Sequence, residues 1–259
     1  MIFDSHAHYD DRAFDEDRGT LLASLPANGI SRVVNIGSSL ETTRRTVALT
    51  EQYDFVYGTA GVHPSDTGEL NDENFRQVVE ALGRPKIVAV GEIGLDYHWD
   101  EPERPVQKKW FERQLMLARE KRMPVVIHSR EAAQDTLEIM RACGAADMSA
   151  VIHCFSYGVE MAREYLNMGH YIGVGGVVTF SNGRKLKEVV QYMPLDRMLL
   201  ETDCPYLAPV PNRGRRNSSL NLPHVVRMVA ELKGVSEETV EQATFENACR
   251  FYGISGEES

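Results

Sequence analysis

Cysteine is scarce in this chain: four residues in 259, Cys143, Cys154, Cys204 and Cys249, with no CxxC pair among them. That argues against a disulfide-stapled scaffold or a thiolate zinc site, and buried, inert thiols are the expectation. No apolar run reaches the ~18–20 residues that a membrane-crossing helix needs. No charged-then-apolar leader precedes Asp4 and His6, so a cytoplasmic setting without a membrane partner is expected. Nucleotide-cofactor signatures are missing too. The glycines of YIGVGG do not fall as GxGxxG, no Walker A lysine is present, and Ser129 and Ser156 lack the GxSxG setting of an activated nucleophile. Positive charge is in deficit, with 28 Lys and Arg against 38 Asp and Glu, a net charge of −10. Such a surface has no general attraction for nucleic acid or anionic lipid, so stable duplex binding is not expected. A polyanionic substrate would need local basic groups or metal ions.

What the chain does have is length and alternation. At 259 residues, 42% hydrophobic and 25% charged, it has ordinary soluble composition and can bury a full core. Short apolar runs rich in Val and Ile recur at 2–6, 32–37, 55–61, 86–92, 124–129, 150–155, 171–176 and 197–203. Such runs are typical of parallel strands covered on both sides. Helical patterns separate them, at 17–29, 40–53, 74–82, 106–121, 132–142, 159–168, 183–192, 224–233 and 237–251, with Ser39 and Ser236 as candidate caps. Eight βα units in about 250 residues predict an α/β fold, a TIM-like (β/α)8 barrel forming a single domain over 1–259. An open doubly wound sheet is the alternative. Segments 68–71, 100–105 and 205–221 read as loops on one rim.

Ionisable residues concentrate where the strands end. His6 and His8 follow the first run, His63 the third, Glu92 and Asp96 the fourth, His128 and Arg130 the fifth, His153 the sixth, and Glu201 and Asp203 the eighth. In a barrel these ends converge on one mouth. Strand parity puts Ile2 and Asp4 on the face of His6 and His8, Val126 with His128, Val151 with His153, and Leu199 with Glu201 and Asp203. Burying that many polar groups without partners would cost several kcal/mol each. A metal centre satisfies them. Imidazole with carboxylate suits Zn2+, Mn2+, Fe2+ or Co2+, and a catalytic Mg2+ that keeps waters also fits. Six candidate ligands, His6, His8, Glu92, His128, His153 and Asp203, exceed what one tetrahedral ion takes, and a glutamate bridging two ions would use the surplus.

Other residues carry quieter expectations. His170 and His224 read as surface or supporting groups, and the methionines as core filler. The YHW stretch at 97–99 either walls the pocket or stacks on an aromatic ligand. RGRR at 213–216 is a solvated loop or a phosphate contact.

The motifs FDSHAH, GVHP, GEIGLD, IHSR, IHCF, LETDCPYLAP and ENACRFYG, in this order and spacing, resemble the TatD family of metal-dependent hydrolases and deoxyribonucleases within the amidohydrolase-like group. The resemblance covers essentially the whole chain. It implies a TIM-like barrel with two divalent ions, commonly Mg2+: His6, His8, Glu92 and Asp203 around the first, and Glu92, His128 and His153 around the second. His63 would meet the substrate phosphate or support the site. It further implies a phosphodiesterase or 3′–5′ exonuclease on the end of single-stranded DNA or RNA, or on a small phosphodiester. Asn212 stands where the family often has histidine, and SSLNLPHV replaces the usual continuation, so the loop's reach toward substrate differs.

On this reading Asp203 orients a water and accepts its proton, and Glu92 fixes the ion pair. Arg130, then Arg213 or Arg215, stabilise charge on phosphoryl oxygens, and Glu201 orients a ligand from behind. A metal-dependent amidase or lactonase, or a phosphomonoesterase, is the alternative. Related amidase barrels often bridge their ions with a carboxylated lysine, whereas Glu92 stands at the strand-four position here.

Overall fold

The computed structural model describes residues 1–255. Eight strands, β1 (Ile2–Ala7), β2 (Ile30–Asn35), β3 (Val56–Ala60), β4 (Ile87–Asp96), β5 (Val125–Arg130), β6 (Ala150–Ile152), β7 (Tyr171–Val174) and β8 (Met198–Leu200), pair in parallel in the order β1 to β8. The helices are α1 (Arg18–Ser24), α2 (Leu40–Gln52), α3 (Arg76–Ala81), α4 (Arg104–Lys121), α5 (Ala133–Ala142), α6 (Val159–Asn167), α7 (Arg184–Tyr192), α8 (Leu222–Lys233) and α9 (Glu237–Tyr252). The TIM-like (β/α)8 expectation holds, and the open sheet is set aside. Among the described residues no helix is long and apolar enough to cross a membrane.

Local chemistry explains the helix ends. Ser39 and Thr42 form a reciprocal capping box at α2, and the Ser236 hydroxyl accepts the Thr239 N–H at α9. Helices α8 and α9 stop at Gly234 and Gly253, both in the left-handed region that glycine enters without strain.

The core has two parts. One lies between strands and helices. The other fills the barrel with Phe3, Val34, Ile36, Ala89, Val126, Val151, Tyr171 and Leu199, and continues into Ala248, Phe251 and Tyr252 of α9. Helix α9 therefore closes the N-terminal end of the barrel. Its Tyr252 ring stacks on Phe3 at 6.1 Å between centroids, and its hydroxyl donates to the Ser5 carbonyl at 2.8 Å. Burying each such aromatic contributes about 2–3 kcal/mol. The opposite end is left as the route in.

The β8–β1 seam is sewn by side chains. Backbone pairing there is reduced to a bridge between Ala7 and Cys204. Asp4 takes over: its carboxylate accepts from the Thr202 N–H at 3.1 Å, the Thr202 hydroxyl at 2.7 Å and the Ser219 hydroxyl at 2.6 Å. Burial pushes the Asp4 carboxyl up to about 6 against these stabilising bonds.

Parity fails in two strands. Phe3, not Ile2, lies in the inner core with the histidines above it, because β1 has a register shift between Asp4 and Ala7. Asp4 accordingly belongs to the seam and not to the mouth. Strand β4 shifts between Val90 and Ile93, so Ala89 and Glu92, three apart, both point inward. A bulge adds one residue and turns the side chains beyond it to the other face. In β5, β6 and β8 the alternation runs as expected.

Candidate metal centre

Glu92 sits at the middle of the mouth, ringed by five imidazoles. Its Oε2 lies 3.6 Å from His6 Nε2 and 4.0 Å from His8 Nε2; its Oε1 lies 2.7 Å from His153 Nε2, 2.9 Å from His128 Nδ1 and 3.9 Å from His63 Nε2. Asp203 Oδ1 completes the Oε2 side, 3.4 Å from His8 Nε2 and 3.7 Å from His6 Nε2. The two nitrogens of His6 and His8 are 3.2 Å apart, as are His128 Nδ1 and His153 Nε2.

This donor set fits divalent cations. Donors held about 2.0–2.2 Å from one ion sit roughly 3–3.6 Å from each other, close to the separations found on each side of Glu92. Imidazole nitrogens facing one another at 3.2 Å cannot both present lone pairs without repulsion unless a proton or a cation lies between them. His6, His8 and Asp203 form one ligand-capable group and His63, Glu92 and His128 another. A third joins His6, His153 and Glu201, whose Oε2 is buried with no partner among the described residues.

Burial and charge set the protonation pattern. At Glu92 the cost of burial is outweighed by His153, His128 and His6, which hold its carboxyl well below the usual range. Burial also opposes the charged forms of His8 and His128, yet Asp203 raises His8 to about 9, and Asp96 with Glu92 raises His128 to about 9. Burial, with His153 beside it, lowers His6 to about 4; burial and His128 lower His63 to about 3. Glu201 is pushed up to about 8 by burial. Neighbouring groups are thus shifted in opposite directions, a feature of sites that move protons.

The remaining sequence candidates divide. His63 closes the third strand's loop, and its Nδ1 accepts the Ser65 N–H at 3.1 Å. That bond leaves the proton on Nε2, so His63 presents an N–H toward Glu92. Glu201 Oε1 accepts the Cys154 N–H at 2.5 Å, and Gly173 makes room for the carboxylate, since a Cβ there would lie 2.3 Å from it. Arg130 is exposed at the rim, its guanidinium 6.0 Å from the Trp99 ring centroid. Arg213 instead packs on Phe180 at 4.2 Å, and Arg215 is exposed with no contact to the Glu92 cluster among the described residues. Arg216 of the same run pairs with Asp17, away from the mouth.

Two features went unread in the sequence. Asp96 Oδ2 lies 2.9 Å from His128 Nε2, so it fixes which nitrogen His128 turns toward Glu92. Its place at the end of GEIGLD was visible, but its partner was not. His170, expected as a surface or supporting group, is 0% exposed, and neither ring nitrogen has a partner among the described residues. All four cysteines are free, three of them buried and Cys154 partly so.

Known proteins share this architecture. The chain is 40% identical to the uncharacterized metal-dependent hydrolase YabD of Bacillus subtilis over 98% of this chain and 100% of that one. It is 35% identical to the 3′-5′ ssDNA/RNA exonuclease TatD of Cronobacter sakazakii, covering 97% of each. The crystal structure of YJJV, a TatD homolog from Escherichia coli K12, superposes with a TM-score of 0.92 at 29% identity, over 98% of both chains. The TatD-related DNase family model matches residues 3–253, and the chain belongs to that family.

Proposed function

We propose that the whole chain acts as one divalent-metal-dependent hydrolase, a phosphodiesterase that removes nucleotides from the 3′ end of single-stranded DNA or RNA. The observation that carries this reading is the division of labour at Glu92. Its Oε2 serves the His6, His8 and Asp203 side, and its Oε1 serves His128 and His153. That is the arrangement a carboxylate needs to bridge two cations. Mg2+ or Mn2+ are the working ions in this proposal, with Zn2+, Fe2+ or Co2+ as substitutes the donors also accept. The exonuclease named in Cronobacter sakazakii supports the substrate class.

Divalent cations in such a site supply Lewis acidity, making a water nucleophilic near neutral pH and neutralising charge on a phosphoryl oxygen. Asp203 Oδ1, beside His8, takes the proton from the attacking water. His63 donates its Nε2–H to a phosphoryl oxygen, held in that tautomer by the Ser65 N–H. Arg130, at the rim, meets the charge of the incoming strand. Glu201, anchored by Cys154, holds the ground between His6 and His153.

Depth favours an end over an internal site. The side chains of His6, Glu92 and His153 are 1%, 4% and 3% exposed, so a scissile phosphate must enter the mouth. A flexible single strand can thread there, and a rigid duplex cannot. The test uses end-labelled single-stranded and duplex oligonucleotides with Mg2+ or Mn2+. Stepwise release from the 3′ end of single strands supports the reading. Failure to release nucleotides from either overturns it, and parallel assays on phosphomonoesters and lactones separate the alternatives. Asp203→Asn should lose 100-fold or more in kcat, a typical size for a lost general base, roughly 10²–10⁴.

A further inference from the structure

The mouth is bracketed by two aromatic rings that the fold leaves in water. Trp99 follows β4 and is 66% exposed; Tyr206 follows β8 and is 56% exposed. The other tryptophan, Trp110, is buried. Strands run β1 to β8 around the barrel, so β4 and β8 lie on opposite sides and the rings stand on opposite sides of the one rim, with the Glu92 cluster between them.

Each ring is tied to the cluster through the residue three positions before it. The Trp99 N–H donates to Asp96 Oδ1 at 3.4 Å, while the other oxygen of Asp96 lies 2.9 Å from His128 Nε2. The Tyr206 N–H donates to the Asp203 carbonyl at 2.9 Å, and its hydroxyl donates to Asp11 Oδ2 at 3.2 Å. Of the two, only the Trp99 ring has a guanidinium placed against it among the described residues. Arg130 lies 6.0 Å from the Trp99 ring centroid; Tyr206 lines, with His8, a cleft of about 470 Å³ whose charged side chains are Arg12 and Arg45 against Asp10, Asp11 and Glu41. Among the described residues Arg12 has no ion-pair partner.

Resting on the nuclease reading above, we infer that Trp99 and Tyr206 are base-stacking platforms that hold the nucleotides on either side of the scissile phosphate. Every base has a π-face, so stacking accepts any terminal nucleotide, which an exonuclease requires. Stacking also supplies the affinity that a molecule of net charge −10 cannot draw from long-range attraction. At Trp99 the ring with Arg130 beside it also matches the pair of base and phosphate along a strand.

The test compares the metal-loaded wild type, Trp99→Ala, Trp99→Phe and Tyr206→Ala on single strands that are intact or carry an abasic residue at the terminal or penultimate position. Loss of one stacked base costs roughly 5- to 150-fold. On the intact strand each alanine variant should lose kcat/KM by that factor, mainly through KM, with metal content unchanged and Trp99→Phe largely restored. On the strand whose abasic residue faces the missing ring, the same variant should lose nothing further against wild type. Equal losses on intact and abasic strands, or no loss on either, overturn the inference alone. No cleavage of any strand by the wild type overturns the nuclease reading and this inference with it.

Discussion

Asp96 decides which nitrogen His128 presents to Glu92. Its carboxylate accepts from His128 Nε2 and so leaves Nδ1 aimed at the Glu92 Oε1 side. In Asp96→Asn the amide can donate to Nε2, favouring the opposite tautomer while keeping the fold. Metal affinity or activity should drop about 10–100-fold, the usual penalty for such a partner, with melting temperature little changed. Titration of bound metal checks this, and wild-type affinity in the variant would remove the role from Asp96. His170 makes a second case at this scale. Burial lowers it to about 4 in the folded protein, whereas the unfolded chain titrates near the ordinary value of 6.5. Between those values the unfolded state binds the extra proton, so this contribution to stability is intact above pH 6.5 and lost as pH falls toward 4. At pH 5 the loss is about 2 kcal/mol. The stability of His170→Leu relative to wild type in urea unfolding should therefore rise by that amount between pH 8 and about pH 5. Parallel stability curves for the two proteins would contradict the assignment. The histidines and acids of the mouth could be read in the sequence because each closes an apolar run. The partners of Asp96 and Asp4 could not, because a carboxylate's neighbours across the barrel leave no trace in local spacing.

Strand β4 shows what positions Glu92. Its GEIGLD segment carries two glycines at positive φ, Gly91 at 157° and Gly94 at 146°. A Cβ on Gly94 would lie 1.9 Å from the His128 carbonyl oxygen, so a side chain there would force β4 and β5 apart. Both the backbone conformation and the space demand glycine. Gly94→Ala should destabilise the protein by more than about 3 kcal/mol, or abolish soluble expression, by combining backbone strain with a steric clash. Urea unfolding measures the cost, and a change below about 1 kcal/mol would mean that the segment relaxes freely. Strand and helix existence was legible throughout, since Val- and Ile-rich runs alternate with helical stripes. Strand ends were less so: β4 runs on to Asp96, while β6 and β8 are three-residue strands. The register shifts in β1 and β4 were invisible because an inserted residue changes facing without changing composition. Those shifts bring His6 and Glu92 to the same interior as residues of the opposite parity.

At the scale of the whole molecule, the barrel collects donors from β1, β4, β5 and the segments after β6 and β8, which no single element could bring together. The inner core and α9 close one end, so like charges and facing lone pairs accumulate at the other. Without a cation, the 3.2 Å contacts between His6 and His8 and between His128 and His153 depend on protons alone. A ligand that binds only this folded arrangement stabilises it by mass action, about 2.7 kcal/mol per site at a hundred times Kd. For a chain of this size about 1 kcal/mol shifts the melting point by roughly 2–4 °C, so one filled site should add about 5–11 °C. Chelator-treated protein should therefore melt lower than protein refilled with Mn2+ or Zn2+. His128→Ala, which removes a donor from the Oε1 side alone, should keep about half of the gain and half of the bound metal. A melting point indifferent to divalent cations in the wild type would show that these donors do not hold ions. A gain in His128→Ala equal to wild type would instead confine metal binding to the His6, His8 and Asp203 side of Glu92.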